Sequence, residues 1–466
     1  MADKTGKNKI SRATGVMASA TLLSRIAGLA RDVVVGRVFG AGYVTDAFFM
    51  AFTIPNLLRR FFAEGSLTAA FVPTFSDVYH LEGEQEARRV FNICWSLLLV
   101  VMVLICVIGI LGSPWLVKGI AAGFSQIPGK LELTDALNRI MFPYILFVSL
   151  LALLTGVLNV YGHFFLPSFS PVMLNLALIA SAFMAHEFFE VPITALAYGV
   201  LAGGALQLLV LYPAMRRHQL RPRLDFNFKH PRVVSIARLM LPGVAGVAIY
   251  QINVIVTRVL ASFLAEGSVS YLYYGQRLFE FPQGVFIVAL AQAVLPTMSQ
   301  QAAEGDLVAL RDSYAFARRL ILFGTLPATI GLVLCAQPVY SLFFMGGSFQ
   351  TEAVRQSALA LAAYAPGLLF VGLSRVSVPV FYARKDTRTP VWISLWTLLV
   401  NALGGLVLMQ YWGHIGLALA LSLASAFNAL LLMFLLKRHL GKVEVTDSIN
   451  YMVRLLVPLA AMALVV

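Results

Sequence analysis

Long apolar runs separated by short polar connections make up most of the chain. A helix that crosses about 30 Å of hydrocarbon needs about 20 mostly apolar residues. By that rule the pattern predicts twelve membrane-spanning helices, at residues 13–37, 43–76, 90–112, 137–161, 169–188, 192–213, 235–264, 268–298, 314–336, 354–382, 390–411 and 414–436. One further apolar run follows at residues 449–466. The chain is therefore expected to be an all-α polytopic membrane protein.

Basic residues in the connections predict the orientation in the membrane. Lys and Arg collect in the connections after every second span, whereas the opposite connections are poor in them, and the stretch 185–192 has none. Four basic residues precede the first span: Lys4, Lys7, Lys9 and Arg12. Because such residues accumulate on the cytoplasmic side of a membrane, we expect a multi-pass protein with its N-terminus in the cytoplasm.

The two halves of the chain resemble each other. VPTFS at 72–76 recurs as LPTMS at 295–299. GYVTDAFF at 42–49 likewise corresponds to GSVSYLYY at 267–274, at nearly the same separation along the chain. Six spans per half is an even number, so both halves enter the membrane from the same side and the repeat is parallel.

These features predict two parallel, pseudo-symmetric six-helix lobes with a C-terminal extra transmembrane segment. The N-terminal lobe covers residues 1–213, a basic cytoplasmic linker covers 214–234, and the C-terminal lobe covers 235–436. Residues 437–466 are interpreted as a second cytoplasmic linker and a truncated thirteenth transmembrane helix. Since repeat-built transporters commonly bind substrate near the bilayer midplane, the pattern favours a carrier that works by alternating access.

The composition excludes several classes of protein. Of the 466 residues, 59% are hydrophobic and 12% are charged, with a mean hydropathy of +0.82, whereas a soluble domain carries about twice that charged fraction. The net charge of +13 lies on residues that flank apolar runs, so the membrane explains it and no nucleic-acid partner is expected. The chain has only three cysteines and lacks the common catalytic and nucleotide-binding motifs. We expect no disulfide scaffold, no metal site and no enzymatic activity.

Charged residues interrupt several of the predicted spans. A charge at the bilayer centre costs about 2.5–3.5 kcal/mol, so four arginines facing lipid would cost about 10–14 kcal/mol. They are therefore expected to face water, a partner or a ligand. At about 1.5 Å per residue, Arg25 lies about 18 Å from the cytoplasmic end of the first span. Arg277 lies about 15 Å from the outer end of the eighth span by the same measure, so both are near the midplane.

Arginines at this depth predict an anionic ligand, because the guanidinium fork suits bidentate binding of phosphate or carboxylate. A phosphate or pyrophosphate is the favoured headgroup. The four arginines expected to bind substrate are Arg25, Arg31, Arg59 and Arg277. Three acids are expected to act as salt-bridge gates that exchange partners when substrate arrives: Asp32, Asp46 and Glu280. The alternative for each single charge is a static buried ion pair, or an arginine at a helix end whose head group reaches the membrane surface.

One proline is expected to shape the same region. Pro55 lies inside the second predicted span, just before Arg59. Proline removes a helical hydrogen bond, and broken helices often surround substrate sites in transporters. The sequence therefore predicts a break of the second helix near Asn56.

Three segments make the chain recognisable: SRIAGLARDVVVGRVFGAG from Ser24, TDAFFMAFTIPNLLRRFFAEGSLTAAFVP from Thr45, and GSVSYLYYGQRLFEFPQGV from Gly267. They closely resemble the MurJ (MviN) family of bacterial lipid II flippases, within the superfamily of multidrug, oligosaccharidyl-lipid and polysaccharide exporters. The resemblance implies translocation of lipid II, an undecaprenyl-pyrophosphate-linked disaccharide pentapeptide, across the inner membrane for peptidoglycan assembly.

The resemblance also implies site residues. The family has a cationic central cavity formed mainly by helices one, two and eight. Motif matching assigns its arginines to the same four positions named above, and its functional acids to Asp46 and Glu280. Ser270 corresponds to a polar position near them. Two further helices follow the twelve-helix core in the family and line a groove for the polyprenyl tail, whereas one apolar run follows it here.

Other functions are weighed against this one. The nearest alternative is an exporter of another undecaprenyl-pyrophosphate-linked glycan, and an ion-coupled drug antiporter is disfavoured because it would need an acid-dominated cavity. A membrane glycosyltransferase would need a catalytic carboxylate on a longer extramembrane loop. No cofactor is expected, and either a coupling ion or the membrane potential is expected to drive the cycle. We expect a monomer whose partners are lipid II and membrane lipids.

Overall fold

The computed structural model describes the backbone of residues 2–61, 67–441 and 445–465. Side chains are described over the same ranges except at residues 2–14, 16, 18, 61, 68–69, 241–250, 439, 445–450 and 465. Within these ranges the chain is helical and has no strand, which confirms the all-α prediction. It divides into two compact units, residues 1–251 and 252–466.

The first unit is built on long helices joined by short turns. Its helices are α1 (Ala2–Phe39), α2 (Tyr43–Phe61), α3 (Leu67–Asp77), α4 (Glu84–Leu111), α5 (Ser113–Ile120), α6 (Lys130–Met141), α7 (Tyr144–Val160), α8 (Phe165–Phe169), α9 (Pro171–Phe188) and α10 (Thr194–Arg217). Helix α11 (Pro231–Ser262) crosses the boundary between the units. Helix α9 packs on α1 and α10, and α2 packs on α6, so α1 and α2 are each held by a neighbouring helix.

The second unit is arranged around one central helix. Its helices are α12 (Ser268–Pro282), α13 (Val288–Glu304), α14 (Leu307–Leu334), α15 (Ala336–Phe343), α16 (Thr351–Ala383), α17 (Arg388–Leu440) and α18 (Val445–Val465). Helix α16 contacts α12, α13, α14, α15 and α17. A π-helical turn at Gln283–Ile287 joins α12 to α13, and α18 packs against α14.

Eight helical segments in the described part of the chain are long and apolar enough to cross a membrane, and three of them join two consecutive helices. They are Glu84–Leu111, Lys130–Val160, Phe165–Phe188, Thr194–Arg217, Ser268–Glu304, Leu307–Leu334, Thr351–Ala383 and Arg388–Arg438. The last of these contains both of the spans predicted at 390–411 and 414–436. Gly413 separates them, with φ 54° and ψ −130°. The span predicted at 43–76 falls on α2 and α3, and residues 62–66 lie outside the described ranges.

The predicted break at Pro55 is wrong, because α2 runs through Pro55 without interruption. Proline deprives the preceding turn of one hydrogen bond, yet membrane helices tolerate it where neighbouring structure supports them. Pro55 is itself buried, as are Ala51 and Ile54 beside it. Packing therefore keeps this helix continuous as far as the turn that carries Arg59.

The internal repeat is visible in helix lengths. Helices α4 and α14 each have 28 residues and begin at Glu84 and Leu307. Helices α5 and α15 each have 8 residues and begin at Ser113 and Ala336. Both pairs of helices are separated along the chain by the same distance as the motifs VPTFS and LPTMS. A long helix followed by a short one thus occurs once in each unit at the spacing that the sequence motifs predicted.

Candidate functional site

Helix α1 carries two of the predicted binding arginines in different surroundings. Arg25 is half-buried and makes no side-chain hydrogen bond or ion pair with any residue that the structure describes. Arg31 is buried and contacts its neighbour Asp32, with Nη2 2.6 Å and Nε 3.0 Å from the same carboxylate oxygen. Arg25 therefore offers a guanidinium for a ligand, whereas Arg31 and Asp32 already form a pair.

Arg59 lies near the end of α2, one turn beyond Pro55. Its Nε donates to the side-chain oxygen of Asn56 at 3.0 Å, a hydrogen bond between residues three apart on the same helical face. The side chain is half-buried. Because the asparagine amide is neutral, this contact orients the guanidinium without cancelling its charge.

Asp46, one of the three predicted gating acids, forms a buried ion pair with Lys130. Lys130 Nζ lies 3.0 Å from Asp46 Oδ2, and both side chains are 1% exposed. The ammonium group also lies 4.3 Å from the ring centre of Phe124 and 5.5 Å from that of Tyr43. Aromatic faces stabilise a desolvated cation, so this pair is enclosed on several sides.

The register between α2 and α6 explains that pair. Tyr43 begins α2, and its hydroxyl donates to the carbonyl of Pro128 at 3.0 Å. Asp46 lies one turn further along the same face, while Lys130 follows Pro128 at the start of α6. Gly129 between them has φ 75°, a conformation that glycine adopts readily. One tyrosine contact therefore aligns the acid with the lysine.

Helix α12 carries the predicted residues of the second unit. Arg277 Nη1 lies 3.3 Å from Glu280 Oε2, and its Nη2 donates to the hydroxyl of Tyr273 at 3.0 Å. The guanidinium carbon also lies 4.9 Å from the ring centre of Tyr273. Gln276 donates to the other oxygen of Glu280 at 3.3 Å. Residues one turn apart on one helix thus hold both charged groups.

Two further polar side chains of this unit are those of Ser270 and Arg258. Ser270 belongs to α12 but is fully buried, so its hydroxyl lies inside the helix packing. Arg258 on α11 donates to the carbonyl of Val269 at 3.5 Å, the limit of a hydrogen bond. It is also within electrostatic range of Arg277 and Glu280. The last turns of α11 therefore bring a third charged group within electrostatic reach of the Arg277–Glu280 pair.

The ion pairs differ in how readily they exchange partners. The Arg277 and Glu280 side chains are each 35% exposed, and pairs of that exposure are worth about 0–1 kcal/mol. Breaking a buried pair such as Asp46–Lys130 costs about 3–5 kcal/mol, because it leaves a charge without compensation. The Arg277–Glu280 contact is therefore the weaker of the two, while Asp46 is tied to the packing of α2 on α6.

Lys130 is the residue that sequence reasoning missed. It lies shortly before the predicted span 137–161, where a lysine is normally interpreted as a solvated residue at the membrane surface. The packing of α2 on α6, together with the ring of Phe124, buries it. The neighbouring Pro128 and Gly129 indicate a tight turn but do not indicate an ion pair. Within the described residues, no three His, Cys, Asp or Glu side chains come together as a metal site would require.

The fold is that of a membrane transporter. A solved structure of a multidrug resistance MATE family transporter of the MOP superfamily, in an inward-facing conformation, superposes with a TM-score of 0.74 at 14% identity, covering 92% of this chain and 98% of that one. At this identity the likeness concerns the fold alone. A solved structure described as lipid II flippase MurJ, inward closed conformation, gives a TM-score of 0.77 at 25% identity and covers 96% of both chains.

Sequence comparison defines the family. The model of the family described as Lipid II flippase MurJ matches residues 35–466. The lipid II flippase MurJ of Burkholderia cenocepacia is 36% identical over 92% of this chain and 84% of its own length. The probable lipid II flippase MurJ of Bdellovibrio bacteriovorus is 38% identical over 94% of this chain and 84% of its own length. The chain belongs to the lipid II flippase MurJ family, which confirms the resemblance found in its motifs.

Proposed function

We propose that this chain moves lipid II from the inner to the outer leaflet of the bacterial cytoplasmic membrane, and so supplies peptidoglycan assembly. The observation that carries the proposal is membership of the lipid II flippase family over residues 35–466. Arginines on α1 and α2 of the first unit and on α12 of the second support it, because the substrate carries a pyrophosphate between its polyprenyl chain and its sugars. We propose a multi-pass inner-membrane protein with its N-terminus in the cytoplasm.

The arginines are proposed to bind the pyrophosphate in two ways. Arg25 binds the anion directly, since no described residue makes a hydrogen bond or an ion pair with its guanidinium group. Arg31 and Arg277 are already beside Asp32 and Glu280, so the pyrophosphate displaces each carboxylate and takes over its hydrogen bonds. The charge count favours this exchange, because a diphosphate neutralises more positive charge than one carboxylate does.

Arg59 is proposed to bind the pyrophosphate as well. It lies near the end of α2, where Asn56 holds its side chain in place.

Ser270 is proposed to contribute only after a movement of α12, since its hydroxyl is buried. Alternating access supplies such a movement. A coupling ion or the membrane potential returns the empty carrier, the latter at about 2.3 kcal/mol per charge for each 100 mV.

Replacement of single arginines tests the proposal. The chain is expressed as the sole flippase in a bacterium whose own copy is depleted, and R25A, R31A and R277A are compared with the unaltered chain. We expect R25A and R277A to be present in the membrane but to fail to support growth. R31A should fail as well, and it should also be less abundant because it breaks the buried Arg31–Asp32 pair. Labelling of lipid II on the outer leaflet should fall in parallel, because the anion loses a donor that no neighbour replaces.

Arg37 provides a matched control. It lies on the same helix as Arg25 and is exposed, so R37A removes one positive charge without touching the proposed site. We expect R37A to grow normally. Normal growth and normal outer-leaflet labelling with R25A, R31A and R277A, at equal abundance, would overturn the proposal.

A further inference from the structure

A basic cavity of about 950 Å³ lies in the first unit, and no residue of α1 or α2 lines it. It is formed by the start of α4, the end of α10 and the linker that follows α10. Two acids line it, Glu84 and Asp225. Five arginines line it as well: Arg88, Arg89, Arg216, Arg221 and Arg223. The excess of guanidinium groups makes the cavity strongly electropositive, which suits an anionic group.

Most of this positive charge is not neutralised inside the protein. The side chains of Arg216, Arg221 and Arg223 are exposed and make no hydrogen bond or ion pair with any described residue. Arg88 contacts Glu84 at 2.8 Å and Gln219 at 3.1 Å, but its Nε is buried without a partner. A buried donor without an acceptor costs free energy. A ligand oxygen that accepted a hydrogen bond from Arg88 Nε would remove that cost.

The linker holds the arginines in place through its backbone. The amide of Arg223 donates to the side-chain oxygen of Asn92 at 3.0 Å, and the amide of Asp225 donates to Ser96 Oγ at 2.8 Å. Both acceptors belong to α4. The linker is therefore fastened along the surface of this helix, and the entropy lost on binding an anion is smaller than it would be for a free loop.

An exposed apolar stripe leads from the membrane-spanning part of α10 to the cavity. Leu209 is 63% exposed and Tyr212 is 57% exposed. Arg216 follows Leu209 by two helical turns, which places the two within about 20° of each other around the helix. On the linker, Leu224 and Phe226 are also exposed, next to the cavity residues Arg223 and Asp225. Arginines beside exposed aliphatic and aromatic side chains are typical of the membrane–water interface.

We propose that this cavity binds the phosphate of an anionic phospholipid, with the acyl chains lying along the Leu209–Tyr212 stripe of α10. The arginines neutralise the phosphate, and the apolar side chains account for a lipid rather than a soluble anion. The residues that line this cavity include none of the arginines that are proposed to bind the pyrophosphate. It is a place where the composition of the surrounding bilayer acts on the first unit.

Lipid retention by the purified full chain tests the inference. The probes are phosphatidylglycerol and phosphatidylcholine with identical acyl chains, supplied together in detergent and counted on the protein by native mass spectrometry. We expect the unaltered chain to retain phosphatidylglycerol selectively. The triple variant R216Q/R221Q/R223Q should lose about 100-fold in affinity, since each basic residue contributes roughly a factor of five toward an anionic lipid surface.

A second triple variant controls for net charge. K229Q/R384Q/R438Q removes three exposed basic residues that do not line the cavity, and we expect it to retain phosphatidylglycerol like the unaltered chain. R216K/R221K/R223K keeps the charge and should retain most of the binding. Equal loss in the two glutamine variants would overturn the inference. So would displacement of the lipid by millimolar inorganic phosphate, because the cavity would then serve a soluble anion.

Discussion

The buried pair of Asp46 and Lys130 joins two helices that hydropathy treats separately. Each side chain is 1% exposed, so neither charge has water to replace its partner. Removing one partner leaves the other desolvated and alone, whereas removing both charges leaves only a packing defect. The pair is therefore expected to behave as a unit in stability measurements.

We predict that K130M lowers the stability of the folded chain by about 3–5 kcal/mol, and that D46N/K130M is more stable than K130M alone. Thermal unfolding of the purified chain in detergent measures both. R139A, which breaks the partly exposed Arg139–Asp135 pair at 2.8 Å, is the control and should cost no more than about 0.5 kcal/mol. Strictly additive effects of D46N and K130M would contradict the prediction.

A second pair of side chains predicts a dependence on pH. His163, between α7 and α8, has its Nε2 2.6 Å from that of His218 at the end of α10. One ring must donate and the other accept, so both cannot be protonated. Burial, and then the nearby charges of His218 and Arg217, hold the pKa of His163 below its ordinary value of 6.5.

We predict that stability falls as the pH drops from about 7.5 through about 6.5. The unfolded chain takes up a proton at His163 in this range while the folded chain does not, so protonation favours unfolding. H163Q should flatten the decline, which thermal unfolding at a series of pH values would measure. H186Q removes an exposed histidine and should leave the slope unchanged; a slope equal in H163Q and the unaltered chain would reject the assignment.

At the residue scale, the sequence predicted the arginines better than their partners. Arg25, Arg31 and Arg277 are conspicuous because each interrupts an apolar run. Their neighbours depend on packing: Lys130 reaches Asp46 because α2 packs on α6, beside the contact of Tyr43 with Pro128. The roles of Asp32, Asp46 and Glu280 in gating and of the arginines in binding stay predictions; growth of R25A, R31A and R277A tests binding by three of the arginines.

At the scale of helices, Gly413 divides the longest one. Its φ of 54° and ψ of −130° lie in a region that is essentially restricted to glycine. A Cβ at this position would meet no atom within 4 Å. The requirement for glycine is therefore a matter of backbone conformation, not of space.

We predict that G413A destabilises the chain by about 1–3 kcal/mol, the usual cost of a residue forced into such a conformation. Gly404 on the same helix has an ordinary conformation, and a Cβ there would contact Ala420 at 3.6 Å. G404A should therefore be neutral or slightly stabilising. Thermal unfolding of both variants measures the difference, and equal stabilities would show that the backbone at Gly413 is not strained by alanine.

Hydropathy located the helices well and their internal details poorly. The repeat spacing, first visible in two short motifs, also separates α4 from α14 and α5 from α15. The expected break at Pro55 failed because burial of the surrounding residues outweighs the loss of one hydrogen bond. The span predicted at 137–161 is divided between α6 and α7, since a hydropathy window averages over the turn at Pro143.

At the scale of the whole chain, the alternation of basic connections predicts which loops face the cytoplasm. The connection containing Gln219 carries many arginines, whereas the one containing Glu190 carries no Lys or Arg.

The native cysteines allow a labelling test of this orientation. Cys94 and Cys106 are buried and Cys335 is half-buried. Replacing Cys335 with alanine therefore leaves a background that reacts little with thiol reagents.

In that background we predict that E190C reacts with a membrane-impermeant maleimide in intact cells, because its loop faces outward. Q219C should react only after the membrane is permeabilised. Both residues are exposed, so accessibility within the protein does not separate them. Labelling of Q219C and protection of E190C in intact cells would reverse the proposed orientation.

The linker between α10 and α11 is held on the first unit along its whole length. Beyond the amides of Arg223 and Asp225, His230 contacts Glu86 at 2.9 Å and Arg232 contacts Glu82. The polypeptide is thus anchored to the first unit until α11 begins, and α11 continues as one helix past residue 251. The chain therefore enters the second unit as helix and not as an irregular loop. A change in the direction of α11 at its first turn would alter the path of every helical residue up to Ser262.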